Sequence, residues 1–314
     1  MTTQSSYHPI PDDILALSHQ RDIMRRRGQY ARADALKRKI EEAGYAIKDN
    51  PRGAHLSILP SIEFDGTFYR TVRHVPSLLN EADTCLFSVN ILARNSFEQT
   101  RRCVESVLHY AQDSAVEVIL VDNGSQDELS AWAAALRTAQ PCVHYLRISR
   151  AIGEAEARNA GFKCSQGRYI LQLDCNIELM GDLFTPLAAT LADEHIGITG
   201  LHGLTTSDLR HFEESEQVEV EAIDRRCMAF RRALLNQVGL FDERYRYPSY
   251  MDVDFNFAVR DSGASVVVTP SLPVHSSPAL QDTGLSDAER TRLTKRNFYH
   301  FLGKWGDRED LLVS

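Results

Sequence analysis

The sequence predicts an α/β fold: a Rossmann-like, mostly parallel sheet flanked by helices, with a small helical hairpin ahead of it. Three observations carry this. From residue 86 onward, short apolar and β-branched runs alternate with amphipathic stretches of helical length, the pattern of βαβ units. Two strand candidates end in aspartate, Asp122 and Asp174, and in an open parallel sheet ligands sit at the carboxyl ends of strands. The third is electrostatic. The 314-residue chain has a formal net charge of −8, yet residues 21–52 hold ten Lys and Arg against five Asp and Glu, which sets the N-terminal segment apart.

Taken in order, Asp12 or Asp13 can cap a first helix that runs to Arg27 and stops at Gly28. A second helix puts Ala33, Leu36, Ile40 and Ala43 on one face and stops at Gly44. Asn50-Pro51-Arg52-Gly53 then reads as a turn. A buried strand follows at 86–92, and then a helix with Phe97, Thr100, Val104, Val107 and Ala111 on one face. Next come a strand at 116–121, a helix at 129–139, a strand at 143–148, a helix from Glu154 and a strand at 169–173. The expected organisation is a hairpin domain at 1–60, a linker at 61–83, the α/β domain at 84–280 and a helical tail at 281–314.

Composition and missing motifs narrow the function. Hydrophobic residues make up 43% and charged residues 25%, as in an ordinary folded chain. The net negative charge argues against a general nucleic-acid binder. Apolar runs such as Val118-Ile119-Leu120-Val121 fall far short of the roughly 20 residues of a membrane span. With no basic-plus-apolar leader, the expectation is a cytoplasmic protein. The six cysteines, at 85, 103, 142, 164, 175 and 227, form no Cys-x-x-Cys pair, so free thiols are expected in place of a zinc site or a disulfide framework. Gly-x-Gly-x-x-Gly after the first strand, a phosphate-binding Gly-x-x-x-x-Gly-Lys loop, a Gly-x-Ser-x-Gly elbow and His-Glu-x-x-His are all missing. What remains is a set of strand-end carboxylates, suited to a diphosphate held through a divalent metal.

Two resemblances stand on specific residues. Ser88-Val89-Asn90-Ile91-Leu92-Ala93-Arg94-Asn95, Val121-Asp122-Asn123-Gly124-Ser125-Gln126-Asp127 and Gly153-Glu154-Ala155-Glu156-Ala157-Arg158-Asn159-Ala160-Gly161 are followed by Met228-Ala229-Phe230-Arg231-Arg232, Gly239-Leu240-Phe241-Asp242-Glu243, Asp252-Val253-Asp254-Phe255 and a tail from Asn297 to Gly306. In order and spacing this resembles family 2 glycosyltransferases of the GT-A fold. Separately, Arg32-Ala33-Asp34-Ala35-Leu36-Lys37-Arg38-Lys39-Ile40 and the Gly44 to Gly53 stretch resemble the helical region near the C-terminus of cysteinyl-tRNA synthetases. That second likeness covers about forty residues and none of the synthetase's catalytic motifs. It admits an RNA- or partner-contacting hairpin, or a helical pair reused as a packing prop.

The first resemblance implies an inverting glycosyltransferase of the hexosyl or N-acetylhexosaminyl type. It would move a sugar from a nucleotide-diphosphate donor, UDP-linked, to a carbohydrate or other hydroxyl acceptor. Nucleotide contacts are implied at Ala93, Asn95, Asp122, Ser125, Arg158 and Asp174. Asp122 could accept the imide N–H of uracil or simply shape a turn, and Arg158 could face the phosphates or form a helix ion pair. The first Asp of the family's Glu-Asp-x-Asp helix start implies Asp252 as the base. Metal ligands are implied at Asp174, Asn176 and His275.

Two positions depart from the family. Leu173-Asp174-Cys175-Asn176 stands where Asp-x-Asp is usual, so Mn²⁺ or Mg²⁺ is expected to bind weakly, because a neutral amide replaces a carboxylate. Met251 stands where the family has Glu. Both keep open a second reading, a catalytically impaired fold that binds a nucleotide or a partner. A third is an RNA-associated adaptor working through the basic hairpin.

Overall fold

The structure, a computed structural model, describes residues 10–50, 53–111, 115–278 and 285–313. It divides into two compact units. One takes in the residues up to Ile62 together with Phe68–His74, and the other Glu63–Thr67 and the chain from Val75 onward.

The smaller unit begins with α1 (Asp12–Arg26) and α2 (Tyr30–Glu42), followed by β1 (Tyr45–Asn50) and β2 (Gly53–Ile58). Gly28 ends the first helix at φ +70°, as its sequence position implies. Asp12 and Asp13 lie inside the first turn, and neither caps it; Pro11 takes the cap position. The β1–β2 pair is an antiparallel hairpin that the sequence did not announce, and Pro51 and Arg52 of the expected turn lie outside the described residues. Ile14, Ile40 and Ile47 form the core. Part of the basic excess is internal: Arg21, 3% exposed, makes a two-pronged contact with Asp49 at 2.8 Å per arm. Lys37 and Arg73 meet Glu41.

The larger unit holds the site. After β3 (Ile62–Phe64) and β4 (Thr67–Tyr69), the chain runs through β5 (Cys85–Ala93), α3 (Phe97–Tyr110), β6 (Val116–Asn123), α4 (Leu129–Ala139), β7 (Val143–Ile148), α5 (Glu154–Lys163), β8 (Gly167–Asp174), β9 (Ile177–Leu179), α6 (Phe184–Leu191) and β10 (Ile196–Gly200). It continues as β11 (Gly203–Thr205), β12 (Glu213–Ser215), β13 (Ala222–Ile223), β14 (Cys227–Arg231), α7 (Leu234–Val238), α8 (Met251–Asp261), β15 (Ser265–Val268), β16 (Val274–Ser276) and α9 (Asp287–Trp305). The main sheet has the order β15-β10-β14-β8-β5-β6-β7 before its far edge, where Asp65 accepts from the Tyr145 backbone N–H at 2.9 Å.

β5, β6, β7 and β8 pair in parallel, so the carboxyl ends of these strands lie along one rim. β14 runs antiparallel to β8, with Cys227 opposite Leu173. That single reversal brings the residues before β14 to the rim where β8 ends. Apolar clusters fill both faces, one around Phe87, Val89, Ile91 and Leu171, the other around Phe162, Phe230, Phe255 and Met251. Helix α5 lies close on the sheet: a Cβ at Gly161 would come within 2.5 Å of Asn90 Oδ1 and 2.8 Å of Val121 Cγ2. The glycine of the Ala-Arg-Asn-x-Gly motif is thus a packing requirement.

Candidate active site

The rim is built from three segments. At the end of β6, Asp122 has no exposed surface. Its Oδ1 accepts from Ser125 N–H at 2.7 Å and its Oδ2 from the Tyr145 hydroxyl at 2.8 Å. Burial first, and then the Asp122 charge, raise the Tyr145 hydroxyl above the ordinary tyrosine value. Gly124 turns the chain at φ +76°, where a Cβ would lie 2.4 Å from the Ala151 backbone nitrogen. Ala93 ends β5 buried. Asn95, at φ +48°, donates its N–H to Ser125 Oγ at 3.1 Å and accepts from Gln126 N–H at 2.9 Å. Ala93, Asn95, Asp122 and Ser125 are therefore brought together as one loop pair, with Asp122 as its internal anchor.

At the end of β8, the charges are dense. Asp174 Oδ1 lies 2.6 Å from Arg158 Nη2, and Asp174 Oδ2 lies 2.8 Å from Arg225 Nη1. Glu154, one turn before Arg158 on α5, meets both guanidinium groups at 3.0 and 3.3 Å. Burial would raise the Asp174 carboxyl, but Arg225 and Arg158 outweigh it and hold it below the ordinary carboxylate range. In turn the Asp174 charge raises Arg225 above its ordinary value, against burial. Arg158 is 4% exposed, and its Nη1 is buried with no hydrogen-bond partner among the described residues.

The residues expected to share an ion with Asp174 are placed differently. Asn176 donates Nδ2 to the Ser277 carbonyl at 2.6 Å. His275 is exposed on β16, opposite Glu178 in the pairing with β9. Cys175 faces inward, 3.4 Å from Ser96 Oγ, and burial raises its thiol.

The third segment is the first turn of α8. Asp252 Oδ2 accepts from the Arg225 backbone N–H at 3.0 Å. Burial, then the neighbouring Asp224 charge, push its carboxyl up to about 6, against the opposing pull of Arg225. Asp254 is held by Lys304 Nζ at 2.7 Å, Trp305 Nε1 at 2.8 Å and the Tyr245 hydroxyl at 3.2 Å. Met251, in place of the usual Glu, is fully buried in the apolar cluster.

The comparisons with known proteins bear on the family and the fold. The family model described as glycosyl transferase family 2 matches residues 88–250, more than half of the chain. The chain belongs to glycosyltransferase family 2. Among curated proteins, this family member is 32% identical over 134 residues to the succinoglycan biosynthesis protein ExoO of Rhizobium meliloti (strain 1021), covering 40% of this chain and 36% of that one. It is 31% identical over 86 residues to putative glycosyltransferases of Mycobacterium tuberculosis (strain CDC 1551 / Oshkosh), covering 26% of this chain and 25% of theirs. The chain thus spans well under half the length of these curated relatives.

Solved structures show the same GT-A fold. One is GalNAc-T7 with UDP, GalNAc and Mn²⁺, at TM-score 0.60 and 17% identity over 72% of this chain and 49% of that one. Another is the mannosyltransferase PcManGT of Pyrobaculum calidifontis with GDP-Man and Mn²⁺, at TM-score 0.56 and 16% identity over 75% of this chain and 70% of that one. Among the described residues, no helix is long and apolar enough to cross a membrane.

Sequence reasoning misses Arg225 and gives Glu154 no role. Asp224-Arg225-Arg226 looks like a solvated charge run before a strand, and only the reversed direction of β14 carries it to the rim.

Proposed function

We propose that this family 2 member transfers a hexosyl or N-acetylhexosaminyl group, with inversion, from a UDP-linked donor to an acceptor hydroxyl, and that Asp252 is the base. The observation that carries this is the contrast within one helical turn. Asp254 is tied down by three side-chain donors, whereas the donors to Asp252 are backbone N–H groups, of Arg225 and Val253, and it sits next to the Asp174 cluster through Arg225. Its raised affinity for a proton suits a base working near neutral pH. The acceptor O–H gives its proton to Asp252 while its oxygen bonds to the anomeric carbon. The bond from that carbon to the diphosphate oxygen breaks, and the electron pair leaves on the diphosphate. Attack opposite the leaving group inverts the centre.

Asp122 enters this reading as the anchor of the Asn95–Ser125–Gln126 loop pair, against which the uracil would lie. Six free cysteines fit a reducing compartment such as the cytoplasm. A nucleotide-binding fold without turnover is the second reading, favoured by the buried Met251 in place of a Glu at the rim. A donor-hydrolysis and transfer screen across UDP- and GDP-sugars tests both readings. Turnover that disappears in Asp252→Asn supports the first. Nucleotide binding with no turnover of any donor supports the second.

The residues do not fit a divalent ion. A hard cation needs several oxygen ligands and gains most from charged ones. Of the three implied ligands only Asp174 is a carboxylate, and both of its oxygens are occupied by guanidinium groups. Among the described residues, no group of three His, Cys, Asp or Glu side chains could hold a metal.

A further inference from the structure

Resting on that transfer reading, we propose that Arg225, backed by Arg158, holds the donor's diphosphate at Asp174, where the family resemblance implies a divalent ion. A dication at Asp174 would have to sit beside two permanent positive charges already 2.6 and 2.8 Å from the oxygens it needs. Like charges at such range repel strongly where water is scarce. Asn176 supplies a neutral amide in place of a charge.

Guanidinium groups, in contrast, match a diphosphate: planar, always charged, and forked to grip two oxygens. The described hydrogen bonds of the Arg225 side chain all run through Nη1, to Asp174 and Glu154. Among the described residues, its Nε and Nη2 have no partner, and the side chain is 28% exposed. Arg158 contributes a buried, unpartnered Nη1. Arg225 also touches the base from its own backbone N–H. One residue therefore spans both ends of the reaction: its main chain fixes the group that takes the proton, and its side chain meets the charge that leaves with the diphosphate. Glu154 and Asp174 keep both guanidinium groups in place before the donor arrives.

The test is titration calorimetry of the full chain with UDP and GDP as probes, in EDTA and in Mn²⁺. The preferred nucleotide should bind in EDTA within about threefold of its affinity in Mn²⁺. Arg225→Gln should weaken that binding by about 10–100-fold, the value of a charge-assisted hydrogen bond or two, and Arg225→Lys should recover part of it. The matching nucleoside, without phosphates, should bind both variants as it binds the wild type. Affinity that appears only with Mn²⁺ would overturn the inference while leaving sugar transfer standing. So would Arg225→Gln and Arg225→Lys variants that melt like the wild type and bind the diphosphate undiminished. Failure of both nucleotides to bind in either condition would overturn the nucleotide-sugar reading, and this inference with it.

Discussion

The two sides of α8 treat identical side chains differently. Toward the strand ends, Asp252 meets a backbone N–H and the edge of a balanced charge cluster. Toward α9, Asp254 is locked by Lys304, Trp305 and Tyr245. Two residues along a helix turn a side chain by roughly 200°, enough to send one carboxylate to the rim and the other into the packing. The lesson is that a carboxylate's role follows from what donates to it. Three side-chain donors make an anchor of Asp254, whereas backbone donors and a repelling neighbour leave Asp252 suited to the proposed role of base.

The largest expected effect would break that contrast outright. Asp252→Asn should lower turnover by about 10²–10⁴, the usual scale for removing a general base, with nucleotide affinity unchanged in calorimetry. A variant that keeps its turnover would assign the base elsewhere. The mirror experiment is Asp254→Asn, which should cost about 1.5–3 kcal/mol of stability through its lost charged hydrogen bonds. Urea unfolding checks it, and the folded fraction should still transfer sugar. If Asp254→Asn instead melts like the wild type and is inert, the two roles have been assigned the wrong way round.

Smaller effects sharpen the comparison at the neighbouring strand end. Asp122→Ala leaves the Ser125 N–H and the Tyr145 hydroxyl without their buried acceptor, for an expected loss of about 1–3 kcal/mol in stability and a weaker grip on UDP through the loosened loop. Equal UDP affinity in the two proteins would separate Asp122 from the nucleotide altogether. The smallest effect is expected from removing residues 1–60: nucleotide affinity should stay as it is, because every side chain named at the rim belongs to the other unit. A truncated protein that unfolds cooperatively but no longer binds nucleotide would contradict this.

Much of the fold was legible because periodicity reports burial. The alternation from β5 to β8 and the stops at Gly28 and Gly44 could be read residue by residue. The β1–β2 hairpin could not, since exposed Lys48, Asp49 and Asn50 interrupt any alternating pattern. The rim of the candidate site was legible where its residues sit in local motifs, as Asn95, Arg158 and Asp252 do. It was illegible where partners are distant in the chain. Nothing near Asp174 announces Arg225, 51 positions away, because strand direction leaves no mark on a short run such as Cys-Met-Ala-Phe-Arg. Nor does anything near Asp254 announce Trp305.

The central claim is that Asp252, raised by burial and by Asp224, is the group that takes the acceptor's proton. A base must be ionised to act, so the rate should be lost as pH falls through its folded value of about 6. The measurement is kcat/KM for transfer between pH 4.5 and 8.5. The expected result is a plateau above about pH 7 and a tenfold fall per pH unit well below about 6, the behaviour of one essential base. A profile that stays flat through that region while the protein remains folded would contradict the assignment of Asp252.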